Sequence, residues 1–216
     1  AEAKGVHLPV MICQDGFITS HAVQNITLWD DEPIKKFVGE YEPEHYLLKE
    51  NEPMAIGPYA VSNYCMESKK AHAEAMINAK QVILDVAKEF EAITGQKYGF
   101  YEGYQLEDAE YAIVAIGSVC GTVKDAVDKL RAQGIKAGLL KIRVFRPFPG
   151  EEFAKALKNC KAVALMDRSE SYSGNGGPIG AELGAAMYRE KCTAETVNIM
   201  YGLSGRDVKV EDIVGV

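Results

Sequence analysis

The chain has 216 residues, 24 Lys and Arg against 31 Asp and Glu, and a formal net charge of −7 at neutral pH. That balance argues against a nucleic-acid binder, which would carry a basic face. With 47% hydrophobic and 25% charged residues the composition is that of an ordinary globular protein, and no apolar run approaches the roughly 20 residues of a membrane span.

The chain opens at Ala1 without an initiator Met, and "AEAKG" reads as the end of a helix. Leu8 to Cys13 form a short apolar run that predicts a strand buried on both faces. Gln14, Asp15 and Gly16 punctuate it, and Thr19 or Ser20 is placed to cap a helix carrying Ala22, Val23, Ile26 and Leu28. One strand and one helix cannot cover each other. Either the run crosses to the distal sheet over a long connector or, as the favoured reading, it is the last strand of a domain whose earlier part lies outside this sequence.

Residues 31 to about 70 are acidic and punctuated by Pro33, Pro43, Pro53 and Pro58. "DDEPIKKFVG" predicts one short helix, capped by Asp30 or Asp31, with Pro33 in its first turn and Gly39 at its end. An extended surface connector follows. From Ala71 to Thr94 the residues Met76, Ala79, Ile83, Val86, Phe90 and Ile93 recur at spacings of three and four, and Gly95 supplies a stop. This predicts a long amphipathic helix whose apolar stripe packs in a core or against another subunit.

Beyond about residue 106 strands and helices alternate. Strands are expected at 111–117, 137–145, 162–167 and 196–202, with helices at 121–133, 150–158 and 178–190. Strict alternation implies right-handed crossovers and a parallel sheet covered on both faces.

The five cysteines (13, 65, 120, 160 and 192) and four histidines (7, 21, 45 and 72) are scattered, with no CxxC and no metal-ligand spacing. The cysteines read as buried free thiols of a reducing compartment, and neither an iron–sulfur cluster nor zinc is expected on this chain alone. Within "CQDGFITSHAV" a thiol, a carboxylate, two hydroxyls and an imidazole crowd together. A nucleophile needs its base within hydrogen-bond reach, and neighbours across a strand-to-helix bend rarely achieve it, so the stretch reads as the end of a strand and the start of a helix.

Three loops follow the carboxyl ends of the expected strands, where open α/β sheets bind ligands. In "GSVCGT" (117–122) Gly117 permits close backbone approach, and Ser118 reads first as a helix cap, with contact to an anion as the alternative. In "RVFRPFPG" (143–150) Arg143 and Arg146 are held by Pro147 and Pro149. They suit either a carboxylate or phosphate, or acidic groups of a neighbouring domain. In "DRSESYSGNGGPIG" (167–180) a Gly-rich run precedes Pro178 and offers free N–H groups to an anion or a neighbouring loop, and it also fits a mobile surface loop. No paired carboxylates and no Ser-His-Asp set emerge.

"LPVMICQDGFITSHAVQNI", "EYEPEHYLLKENEPMAIGP", "AEAMINAKQVILDVAKEF", "LKIRVFRPFP", "ALMDRSESYSGNGGP" and "NIMYGLSGRD" occur in this order. Together they resemble the alpha subunit of pyruvate:ferredoxin oxidoreductase and related 2-oxoacid:ferredoxin oxidoreductases, over essentially the whole chain. The resemblance implies an α/β protein. Residues 1–30 would be the end of the pyrimidine-binding thiamine diphosphate domain, 31–105 a connector with the long helix, and 106–216 a domain like the C-terminal domain of transketolase. It implies part of a cytoplasmic, multi-subunit enzyme of anaerobic metabolism that decarboxylates a 2-oxoacid, forms acyl-CoA and passes electrons to ferredoxin. Thiamine diphosphate, Mg, iron–sulfur clusters and CoA would belong to the whole enzyme and none to this chain alone. The family's cofactor-contacting residues lie in the preceding part of that subunit, so no catalytic residue is carried over. Asp15, Thr19, Ser20, His21, Arg143 and Arg146 are instead expected at a domain or subunit junction, against other polypeptides of the enzyme. Another thiamine enzyme (transketolase, or the beta type of 2-oxoacid dehydrogenase) and a non-catalytic assembly module remain open.

Overall fold

A computed structural model describes residues 1–216. Two compact units are present, one made of residues 1–12 and 24–98, the other of 13–23 and 99–216.

In the first unit Pro33 and two acidic residues in the first turn start helix α1 (Asp31–Val38), which ends at Gly39 as expected. Helix α2 (Cys65–Thr94) begins six residues before the predicted start and ends at Gly95 in the left-handed conformation. Phe37 of α1 meets Phe90 of α2 at 5.7 Å between ring centroids, and Asn78 Nδ2 donates to the Gly5 carbonyl at 3.0 Å. Of the predicted stripe only Ala79 is buried, whereas Val86 and Ile93 are exposed. No helix is long and apolar enough to cross a membrane.

Two predictions fail here. Leu8–Cys13 form no strand and residues 19–28 no helix; Met11 and Ile12 are 85% and 96% exposed. The apolar run lacks a strand to bond, and an unpaired strand leaves its backbone groups and both faces to water. Cys13 and Cys65 are likewise exposed rather than buried, while Cys120 and Cys160 are buried.

The second unit carries a five-stranded sheet in the order β1-β3-β2-β4-β5. Strands β2 (Tyr111–Ile116), β3 (Ala137–Ile142), β4 (Ala162–Asp167) and β5 (Glu195–Met200) are parallel. They are joined through α3 (Val119–Ala132), α4 (Gly150–Leu157) and α5 (Pro178–Arg189). The all-parallel expectation needs one correction: β1 (Tyr101–Tyr104) pairs antiparallel with β3. "YEGY" lacks an apolar run, and it forms a strand because it satisfies the free edge of β3. A final short helix, α6 (Val210–Val214), was also not anticipated.

Period-two alternation sorts the core into two layers. Ile113, Ala115, Leu139, Ala164 and Met166 face α3 and α6, where Val123, Ala126, Val127 and Ile213 are buried. On α4 and α5, which pack against each other, Phe153, Leu157, Leu183 and Met187 are buried. From β2 the chain moves to β3 on one side and then crosses to β4 on the other. The carboxyl ends of β2 and β4 therefore flank the topological switch point, the usual ligand position of open parallel sheets.

Candidate functional site

Gly117 and Ser118 leave β2 at the switch point, and Arg168 leaves β4 beside them. Between them lies a carboxylate of the chain itself. Ser118 N–H, at the start of α3, donates to Asp15 Oδ2, and Arg168 stands 3.9 Å from Asp15 Oδ1. The helix terminus favours negative charge there. Gly117 has φ +81°, and a Cβ on it would stand 2.7 Å from Asp15 Oδ2, so glycine is required both for the backbone turn and for the approach. The Ser118 hydroxyl makes no cap bond. The helix-cap reading of Ser118 therefore fails, and the loop instead meets an anion supplied from 103 positions earlier in the chain.

Asp15 roots a tight turn. Phe17, held at φ +62°, donates its N–H to Ser20 Oγ at 2.9 Å, and His21 N–H donates to the Phe17 carbonyl at 2.9 Å. Ser20 Oγ lies 2.8 Å from His21 Nδ1, and the Phe17 and His21 rings stack at 5.1 Å. The Ser20 hydroxyl thus closes this turn instead of capping a helix. Thr19 is exposed beside it.

The Gly-rich loop before α5 has a similar answer. Asp167, 3% exposed, accepts from the N–H groups of Ile179 and Gly180 at 2.9 Å each and from Asn198 Nδ2 at 2.8 Å. Asn198 Oδ1 takes Gly177 N–H at 2.8 Å. A Cβ on Gly177 would overlap the Asp167 carboxylate, and one on Gly180 would stand 2.7 Å from Asn198 Oδ1. The glycines make room for this buried network, so the N–H groups read as free for an anion are already occupied. Sequence reading missed Asn198, whose only local signal was a polar residue inside an apolar strand.

Arg143 and Arg146 both find carboxylates within their own unit. Arg143 meets Glu102 at 2.8 Å; Arg146 pairs with Glu182 and lies over the Phe145 ring at 4.3 Å. Glu102 also binds Lys124 at 2.6 Å and lies 3.5 Å from Lys141. The Lys124 hydrogen bond, followed by those of Arg143 and the charge of Lys141, holds its carboxyl down at about 2 against the cost of burial. Burial pushes the Cys120 thiol up to about 11 and the Tyr201 phenol up to about 12, so neither ionises near neutrality. No three His, Cys, Asp or Glu side chains converge on a point where a metal ion could sit.

Residues 1–88 match the family model described as the thiamine diphosphate-binding domain of pyruvate flavodoxin/ferredoxin oxidoreductase. Residues 109–213 match pyruvate:ferredoxin oxidoreductase core domain II. The pyruvate synthase subunit PorA of Thermotoga maritima is 44% identical over 99% of this chain and 54% of its own length. That of Methanocaldococcus jannaschii is 42% identical over 99% and 54%. The ketoisovalerate oxidoreductase subunit VorA of Pyrococcus abyssi is 34% identical over 98% and 53%. The chain spans about half the length of these curated relatives. With both family models matched in this order and such relatives along essentially its whole length, the chain belongs to the pyruvate:ferredoxin oxidoreductase family and corresponds to part of its alpha subunit.

Proposed function

We propose that this chain is part of a cytoplasmic 2-oxoacid:ferredoxin oxidoreductase acting on pyruvate. The observation that carries the reading is the 44% identity to a pyruvate synthase subunit along 99% of the chain. In the whole enzyme pyruvate and CoA would yield acetyl-CoA, CO2 and a proton, with two electrons passing through iron–sulfur clusters to ferredoxin. Five free cysteines suit the reducing compartment this requires.

The N–H groups opening α3 and α5 already hold Asp15 and Asp167. The reading therefore gives this chain a framework role, with cofactor and reacting groups on other segments and subunits of the enzyme. It takes residues 1–30 as the close of the pyrimidine-binding domain, 31–105 as connector and 106–216 as the transketolase-like domain. Strand β1, at 101–104, supports starting that last domain a few residues earlier. Asp15, Thr19, Ser20, His21, Arg143 and Arg146 are proposed to lie near its junctions.

The test is to purify the chain with its co-purifying polypeptides, identify them by mass, and measure ferredoxin reduction with pyruvate and 2-oxoisovalerate in turn. CoA-dependent reduction with pyruvate is expected. Reduction with 2-oxoisovalerate alone would move the assignment to the branched-chain acid, and no 2-oxoacid-dependent reduction would refute it.

A further inference from the structure

The ligand position of the parallel sheet is filled from within. At the switch point between β2 and β4, Gly117, Ser118 and Arg168 surround the Asp15 carboxylate, which is 22% exposed. Residues 13–23 belong to the sheet unit although the chain on either side of them belongs to the other. We infer that the Cys13–Val23 turn is the resident ligand of this crevice, and that Asp15 is a positioning residue that sets the geometry of the exposed Phe17–His21 pair.

Two observations support a positioning role. First, the turn holds a non-glycine residue, Phe17, in the left-handed region, while that side chain is 73% exposed and Ile18 is 58% exposed. A strained residue persists only where its surroundings over-determine it. Burial supplies nothing at the tip, which leaves the local bonds to Ser20 and His21 and the anchorage at Asp15. Second, Gly117 is shaped around the carboxylate: the helix terminus, the Arg168 charge and the missing Cβ all converge on one anion. The anchored turn projects an aromatic ring, a branched apolar side chain and an imidazole in a fixed arrangement.

The test uses the full chain with Asp15→Asn and Asp15→Ala. It reads the Ser118 amide by hydrogen exchange and the His21 ring protons by NMR, since stacking on Phe17 displaces them through its ring current. Both substitutions should speed Ser118 exchange by about tenfold or more and collapse the His21 displacement. Excess acetate added to Asp15→Ala should restore Ser118 protection without restoring the His21 signal, because a free carboxylate fills the crevice but holds no turn. Gly117→Ala, which crowds the carboxylate from the other side, should reproduce the His21 change with Asp15 present. The inference is overturned if His21 keeps its displacement while Ser118 loses protection, if neither responds, or if acetate restores both signals.

Discussion

Replacing Asp167 by alanine removes the acceptor on which the first turn of α5 depends. In the native chain its two oxygens take the N–H groups of Ile179 and Gly180 and the amide of Asn198. Asn198 retains the Leu165 carbonyl at 2.8 Å, so the two backbone donors at the helix terminus bear most of the loss. A hydrogen bond to a charged group contributes about 1.5–3 kcal/mol, and the helix terminus adds about 0.3–1 kcal/mol for a nearby anion. Removing a buried charge returns part of that as relieved desolvation. A net loss of about 3 kcal/mol is expected. Asp167→Asn keeps the shape and one acceptor but turns an amide N–H toward a second donor, and should lose about half as much. Urea denaturation followed by far-UV circular dichroism gives the stability, and hydrogen exchange at Ile179 and Gly180 gives the site. A loss below about 1 kcal/mol for alanine, with those amides still protected, would refute the view that this carboxylate caps α5 from the neighbouring strand end.

Glu102 should confer an acid-side dependence. Its folded carboxyl titrates at about 2, below the ordinary 4.5, so its contribution is complete above pH 4.5 and fades as the pH falls toward 2. Discounted for partial exposure and screening, the effect is about 1 kcal/mol, and Glu102→Gln should flatten the stability profile over that window while leaving its slope near neutrality unchanged. Thiol labelling of the native chain at mildly alkaline pH should modify the exposed Cys13 and Cys65 first and Cys120 last, given its 2% exposure and raised pKa; mass spectrometry of the digest showing early Cys120 modification would contradict its burial. Arg146→Ala should cost about 0–1 kcal/mol, since the ion pair with Glu182 is half exposed. A double-mutant cycle with Glu182→Ala measures their coupling, and a coupling above about 2 kcal/mol would mean the pair is far less solvated than its geometry implies.

The sequence by itself determined the alternation of β2 to β5 with α3 to α5. Buried strands and amphipathic helices write their burial into local periodicity, and Gly39 and Gly95 end their helices at a positive φ that glycine accepts, Gly95 in the left-handed helical conformation. Tertiary structure decided whatever depended on a distant partner. The apolar run Leu8–Cys13 has strand composition and remains irregular because no strand lies beside it to bond. "YEGY" has poor strand composition and becomes β1 because the edge of β3 is open to it. Ser118 and the Gly-rich run before α5 were legible as anion-receptive, since turn glycines and helix starts are local features. That the anions are Asp15 and Asp167 was not legible: Asp15 sits 103 positions from Ser118, and Asp167, although it opens the same loop, reaches Ile179 and Gly180 only because the loop folds back on the end of β4, which no local period records.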